Sequence, residues 1–402
     1  MEFRFDPEHL ELQRTVRRFL GEVSPETRVR ADAETAAGWD AGTWRRLCAE
    51  LELPALAIPE RHGGHGFGLT ELGVAFAEAG ASLVCAPLLS TSLAARAILE
   101  SGDEEAAAAH LPGLAAGTTT GSLAAHEPGR DWEHPATTRA VRTGTGWTVT
   151  GHKNWVLDGH TAGLFVVSAA TGRGTSLFLV DAGAPGLRSV PVDAVDPTRQ
   201  AATLDLTAVP AVLLGADGAG GAVLRRTLDA GLVLLAAEQT GLAQRCLDMA
   251  SDYARQREQF GRPIGMFQAI KHKLANVLLE VEAATSAMMY ALWAADHHPA
   301  GLPEAAAIAA TTCAEAALLA AGENIQVHGG IGATWEHPAH LYLKRATTSR
   351  VLLGDPQQHL ERLAVHTGLG SPATVPAANG TTPHPERQED AWQDGWRAKS
   401  PS

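Results

Sequence analysis

The stretch RVLLGDPQQ, residues 350–358, places a single carboxylate directly after an apolar run and a glycine. A side-chain carboxylate at such a point could act as a general base. The same residues also fit the start of a helix, with Asp355 at the N-cap, Pro356 at the first helical position and Gln358 two positions later. The local sequence favours a helix cap at Asp355. A catalytic role would require the rest of the chain to indicate a reaction that uses a base.

Composition excludes several classes of function. The chain has 402 residues, a formal net charge of -13 and no run of Lys or Arg, which argues against nucleic-acid or anionic-membrane binding. The four cysteines lack metal-like or redox-like spacing, so we expect buried thiols in a reducing compartment. The N-terminus does not resemble a signal peptide, and we expect neither a membrane span nor a metal site. The prediction is a soluble, cytoplasmic protein.

Hydrophobic periodicity divides the chain into four parts. Residues 1–117 are predicted to form a helical domain, and residues 118–218 contain short β-branched segments typical of an antiparallel β domain. Residues 219–366 are predicted to form a four-helix-like bundle. Residues 367–402 are rich in Pro, Gly and polar residues, which predicts a disordered tail. The fold class is therefore α+β.

Three motifs together carry a family resemblance. They are REQFGRPIGMFQAIKHKLA at 257–275, IQVHGGIGATWEHPAHLYLKRA at 325–346 and GHKNWVLDG at 151–159. With the helix–β–helix order, they resemble the acyl-CoA dehydrogenase family of flavoproteins over about residues 5–365. The resemblance implies FAD-dependent α,β-dehydrogenation of an acyl thioester, with electrons passed to an electron-transfer flavoprotein or a similar acceptor. It also implies an oligomer, usually a dimer of dimers.

The resemblance also implies roles for individual residues. Arg257 resembles the arginine that meets the FAD pyrophosphate of a neighbouring subunit, where a guanidinium can fork onto phosphate oxygens. Phe260 resembles an aromatic residue near the same cofactor, with core packing as the alternative. Trp155 resembles the tryptophan beside the flavin ring. The loop near the ADP half is matched by Gln326, Gly329 and Gly330.

The β domain departs from the family pattern in two places. The Thr-Glu-Pro…Gly-Ser-Asp stretch of the family reads AAHEPGRDWEHPATTRA at 124–140, so His126 takes the threonine position and Gly-Ser-Asp is missing. The residue two after Trp155 is Leu157, which lacks the hydroxyl expected near flavin N5. Both departures lie on the flavin side of the expected site.

The catalytic base is missing from both positions where the family places it. The common position before a glycine is Leu353, and the minority position falls at Gly231 and Leu232. Neither leucine nor glycine can accept a proton. Three carboxylates could substitute: Asp355, Asp229 and Glu238.

These departures favour one function over its alternatives. The favoured hypothesis is a base-lacking subunit of a heteromeric dehydrogenase, in which a paralogous partner brings the glutamate within a hetero-tetramer. The alternatives are a self-sufficient dehydrogenase with a displaced carboxylate, working as a homo-tetramer, or a flavin-dependent oxidase or hydroxylase on the same fold. The acyl group, and whether it is carried by CoA or by a carrier protein, stay open.

Overall fold

The computed structural model describes residues 5–132, 136–144 and 146–369. The N-terminal part is helical, as expected, and its apolar spacing becomes one buried face of the first helix, at Val16, Phe19, Leu20 and Val23. That helix begins at Asp6, whose side chain accepts hydrogen bonds from two backbone N–H groups of the first turn. The helices of this domain are α1 (Pro7–Val23), α2 (Glu26–Ala33), α3 (Ala41–Glu50), α4 (Leu69–Ser82), α5 (Leu88–Ser101) and α6 (Glu104–Ala115).

The middle of the described chain is one seven-stranded sheet. Most strand pairs are antiparallel, as predicted, but β1 pairs in parallel with β4, with Gly121 opposite Leu164. A parallel pair needs a long crossover, and residues 125–163 supply one. The strands are β1 (Gly121–Ala124), β2 (Arg139–Thr143), β3 (Gly146–Leu157), β4 (Leu164–Thr171), β5 (Gly174–Asp181), β6 (Leu187–Pro191) and β7 (Ala201–Leu214).

The C-terminal part is a bundle built around one long central helix. This helix, α7 (Gly220–Gln256), contacts both the N-terminal helices and the other bundle helices. A short hairpin, β8 (Glu258–Gln259) and β9 (Arg262–Pro263), leads from it to α8 (Gln268–His297). The remaining helices are α9 (Leu302–His328), α10 (Ala339–Ser349) and α11 (Pro356–His366).

Helices α4 and α7 cross at very short range. A Cβ added at Gly241 would overlap the carbonyl oxygen of Ala77, and one added at Gly80 would overlap the carbonyl oxygen of Glu238. Both crossing points therefore require glycine. This close crossing fixes the N-terminal domain against the helix that carries Gly231.

Two bundle helices reach the length and apolarity of a membrane span. They cover Gln268–His297 and Pro299–Ala333, with mean hydropathies of 1.2 and 1.5. Both pack against α7 and against each other, as core helices of a bundle do. The predicted tail lies almost wholly outside the described residues.

Candidate functional site

The two positions where the resemblance expects a base face each other across the bundle. Leu353 is 3% exposed on the turn before α11, and Gly231 lies in the first third of α7. A Cβ added at Gly231 would lie 3.0 Å from Leu353 Cδ1 and 2.5 Å from Leu93 Cδ2. The space that either family glutamate would enter is thus closed by two leucine side chains.

The turn at Leu353 keeps a strained backbone. Leu353 has φ 63°, and Gly354 follows with φ 122°. A non-glycine residue in the left-handed region costs about 1–2 kcal/mol, so the surrounding contacts must hold it there. A Cβ at Gly354 would lie 2.8 Å from the His359 ring, which makes glycine necessary at that position. We call Leu93, Gly231 and Leu353 together the base locus.

Asp355 is a helix cap. Its Oδ1 accepts a hydrogen bond from the Gln358 N–H at 2.9 Å, and its own N–H donates to Gln358 Oε1 at 2.9 Å. This is the capping box that the local sequence favours. The geometry gives Asp355 a structural task and lends no support to its alternative role as a base.

Glu238 is held inside a buried charge network. It forms ion pairs with Arg199 and with Arg345, whose Nη1 lies 3.1 Å from Glu238 Oε1. Arg345 also donates from Nε to Asp196 at 2.8 Å and from Nη2 to the Thr198 carbonyl at 2.7 Å. Burial raises the pKa of Glu238, but the two guanidinium groups outweigh it, and the net pKa is lowered. An ionised, doubly paired carboxylate is poorly placed to take a substrate proton.

Asp229 lies on α7 two residues before Gly231. Residues two apart on a helix point to opposite sides, so Asp229 faces away from the base locus. Its Oδ1 is 2.5 Å from Nη2 of Arg362, and its pKa is raised by burial and partly restored by that arginine. All three proposed substitute bases are engaged in other contacts: Asp355 caps α11, Glu238 pairs with two arginines and Asp229 pairs with Arg362.

The residues that the resemblance assigns to a neighbouring subunit's cofactor are all exposed on this chain. Arg257 caps the end of α7 and has no ion pair within the described residues. Phe260 sits at the tip of the β8–β9 hairpin with φ 53° and 92% exposure, so the alternative of core packing is wrong. Gly329 caps α9 with φ 67°, and nothing lies within 4 Å of a Cβ added there or at Gly330. Gln326 is exposed on the last turn of α9.

The flavin-side candidates meet where strand β3 is irregular. Trp155 is 41% exposed with φ 51°, at a shift in the β3–β7 register. The Asn154 N–H donates to the His126 carbonyl at 2.9 Å, which brings the His126 loop beside Trp155. Nδ1 of His126 is buried and lacks a hydrogen-bond partner in the described structure, and burial lowers the pKa of the ring.

A buried ion pair anchors this loop, and sequence reasoning missed it. Lys153 Nζ lies 2.7 Å from Glu127 Oε1, with the two side chains 0% and 3% exposed. Burial lowers the pKa of Lys153 to about 8; burial also raises that of Glu127, but Lys153 outweighs it and brings the carboxyl to about 2. Both groups are charged at neutral pH. The sequence offered one sign of this ion pair, which is a lysine at a position inside a predicted strand.

These residues fit a flavin dinucleotide only in part. An unpaired guanidinium, an uncrowded glycine turn, an exposed tryptophan and an unpartnered His126 nitrogen suit its phosphates and ring edges. Leu157, however, is 5% exposed, packs in the core and offers no side-chain donor.

Two acidic residues lie where the β domain meets α11. The Gln358 side chain donates a hydrogen bond to the carboxylate of Asp131, and the same residue is bonded to Asp355 at the start of the helix.

Other chemistry-bearing residue types serve structure. All four cysteines are free and buried, and burial raises their pKa values. In the HGGHG loop, His62 and His65 contact Glu104 and Glu52. Across residues 5–132, 136–144 and 146–369, no three His, Cys, Asp or Glu side chains are grouped as a metal site would need.

Comparisons with known proteins agree with the geometry. Models of the acyl-CoA dehydrogenase N-terminal, middle and C-terminal domains match residues 6–118, 122–208 and 218–367. The chain is 36% identical to acyl-CoA dehydrogenase IpdE2 of Mycobacterium tuberculosis, over 88% of this chain and 95% of that one.

Solved structures show the same relationship. A variant of the Tcur3481-Tcur3483 steroid ACAD is 35% identical with a TM-score of 0.83, covering 90% of this chain and 98% of that one. The ChsE4-ChsE5 complex from Mycobacterium tuberculosis is 28% identical with a TM-score of 0.84, covering 93% and 100%. The fold, the resemblance and the predicted FAD cofactor are thereby confirmed. This chain belongs to the acyl-CoA dehydrogenase family of FAD-dependent oxidoreductases, which act on CH–CH bonds of acyl-CoA thioesters.

Proposed function

We propose that this chain is a base-lacking subunit of a heteromeric acyl-CoA dehydrogenase. The observation that carries the proposal is the base locus, where both family positions for the glutamate converge and leucine side chains fill the space between them. A carboxylate introduced there would be buried without a partner, at a cost of several kcal/mol. The base must then come from another polypeptide.

Exposed residues of the cofactor motif also support the proposal. Five exposed residues, namely Arg257, Phe260, Gln326, Gly329 and Gly330, match the family's inter-subunit cofactor motif. A surface of this kind is useful to a chain that completes the FAD site of a partner. The ChsE4-ChsE5 and Tcur3481-Tcur3483 structures bear the names of two proteins each, which fits the same arrangement.

In this proposal the reaction divides between two chains. The partner's carboxylate accepts the α-proton of the acyl thioester, and the β-hydrogen leaves with its electron pair. Bound FAD supplies the acceptor for that hydride, and an electron-transfer flavoprotein or a similar carrier removes the two electrons. This chain contributes Arg257 as a fixed cation for phosphate and the Gly329–Gly330 turn as a surface that backbone or cofactor can approach closely. We expect a hetero-tetramer in the cytoplasm.

Purification alone and with a co-expressed family member tests the proposal. The partner should carry glutamate at the position that aligns with Leu353. We expect the isolated chain to hold little flavin and to reduce no dye with acyl-CoA, and the co-purified complex to do both. Full flavin occupancy and turnover by the chain alone would establish the self-sufficient alternative.

The pair Leu353→Glu and Leu353→Gln sharpens the result. The two side chains have nearly the same size and shape, but only glutamate can accept a proton. We expect both variants of the isolated chain to be equally inactive, because the flavin side of this chain is also altered at His126 and Leu157. Turnover by the Glu variant alone would show that the base is the only missing part.

A further inference from the structure

A partly buried carboxylate outside the base locus joins the β domain to helix α5. Asp158 follows Leu157 directly, and its Oδ2 lies 2.6 Å from the Ser90 hydroxyl in the first turn of α5. Its backbone N–H donates to the Gln200 carbonyl at 3.0 Å. The side chain faces a small cavity between the three domains, lined also by Leu89, Glu238 and Arg345.

Asp158 closes a short strained segment that begins at Trp155. We call residues 155–158 the Trp155 segment. Its first and last residues both have φ 51°, in the left-handed region, while Val156 and Leu157 between them are buried. Two non-glycine residues in that region require contacts that hold them. The Ser90 bond at one end is such a contact, and Trp155 at the other end is 41% exposed.

Ser90 has two acceptors within reach but only one proton to donate. Its hydroxyl lies 3.1 Å from the Pro87 carbonyl and 2.6 Å from Asp158. With Asp158 ionised, Ser90 donates to the carboxylate and leaves the Pro87 carbonyl. With Asp158 protonated, the carboxyl O–H donates to Ser90, which then donates to Pro87. The two protonation states therefore bond α5 differently.

The charges around Asp158 come from several elements. Arg199 precedes β7, and its Nη1 is buried without a hydrogen-bond partner among the described residues. Arg345 on α10 and Glu238 on α7 line the same cavity, His160 lies in the following turn, and Cys85 precedes α5. Burial raises the pKa of Asp158 to about 6, with Ser90, Arg199, His160 and Arg345 opposing the rise. Both states are thus populated near neutral pH.

We propose that Asp158 is a positioning residue that ties the Trp155 segment to helix α5, so that the direction of the Asp158–Ser90 hydrogen bond sets the orientation of Trp155. Leu93 of the base locus lies three residues after Ser90, about one helical turn away. The Asp158–Ser90 hydrogen bond therefore connects the segment that carries Trp155 with the helix that carries Leu93. The consequence for flavin rests on the proposed role of Trp155, whereas the tie itself does not.

Fluorine NMR of the full chain labelled with 5-fluorotryptophan tests the tie. Trp155→Phe identifies the Trp155 resonance by its loss. We expect this resonance to titrate with a midpoint near pH 6, and to become independent of pH in Asp158→Asn, whose amide cannot ionise. Ser90→Ala should also abolish the titration, which keeps the test decisive if Asp158→Asn folds poorly. His160→Gln should leave the titration in place.

Two outcomes would overturn the inference. One is a Trp155 resonance that does not move between pH 5 and 8 in the unaltered chain, and the other is a titration that persists in both Asp158→Asn and Ser90→Ala. Adding FAD to the complex with the partner separates this inference from the proposed function. A resonance that responds to pH but not to FAD would uphold the tie and count against the flavin role of Trp155.

Discussion

The base locus lacks the residue type that the family reaction needs, whereas the exposed cofactor motif has the family's residues. Inside the bundle, Leu93, Gly231 and Leu353 close the space that a catalytic glutamate would need. On the surface, Arg257, Phe260 and Gly329 are exposed and keep the residue types that the family uses to bind cofactor between subunits. This contrast is what the proposed division of labour between two subunits would produce.

The largest effect should come from the charge network around Glu238. Glu238→Ala removes the carboxylate that pairs with Arg199 and one of the two carboxylates that pair with Arg345, and breaking a buried ion pair in this way costs about 3–5 kcal/mol. Urea unfolding of the purified chain would measure the loss. A change below 1 kcal/mol would mean that the carboxylate is not structural and would reopen its candidacy as a base.

Acid stability probes the turn that carries Leu353. Burial lowers the pKa of His359 to about 4, below the value of 6.5 expected when unfolded, with Arg362 adding to the shift. The unfolded chain therefore binds this proton more tightly, and the stability contributed by neutral His359 is lost as pH falls from about 6.5 to 4. His359→Gln should flatten the stability curve across that window. An unchanged slope in the variant would contradict the assignment.

Gly231→Ala tests whether the base locus is truly closed. The added methyl would lie 2.5 Å from Leu93 Cδ2, and overpacking a rigid core costs about 1–3 kcal/mol. Shortening Leu93 should relieve the clash, so Leu93→Ala and Gly231→Ala together should cost less than the sum of the single changes. Additive costs in this double-mutant cycle would show that the two residues are not in contact.

The Asp355 cap should contribute a smaller amount. Asp355→Ala removes the side-chain acceptor for the Gln358 N–H and should destabilise the chain by about 1 kcal/mol. Asp355→Asn keeps a good N-cap and should be nearly neutral. Thermal unfolding of both variants distinguishes a cap from a catalytic group, because loss of dye reduction in the complex with Asp355→Asn would favour the catalytic role.

Replacing Arg257 should have the smallest effect on stability and the clearest effect on the flavin content of the complex. Arg257→Gln removes an exposed, unpaired cation and should change stability by less than about 0.5 kcal/mol. The flavin content of the co-purified complex should nevertheless fall, since a phosphate contact is lost. Arg255→Gln, two residues away and also exposed, is the matched control and should retain flavin. Equal flavin content in both variants would contradict a role for Arg257 in binding the cofactor.

Much of the fold followed from local sequence patterns. The apolar spacing of α1, the capping box at Asp355 and the change of period near residue 118 depend on neighbours in the chain, which sequence displays. The parallel pairing of β1 with β4 did not follow, because it depends on a crossover of some forty residues. The Lys153–Glu127 pair was also missed, since a charged residue in a strand normally faces solvent.

The sequence by itself determined that a glutamate is missing from two family positions and that a cofactor motif is retained. It could not show that Leu353 and Gly231, more than a hundred residues apart, face each other, or that Leu93 from a third segment closes the gap. It left Glu238 and Asp229 as candidate bases, and only the fold showed that each is paired with arginine. Residue identity is a local property, whereas burial, ion pairing and free space arise from segments that meet only in the folded chain.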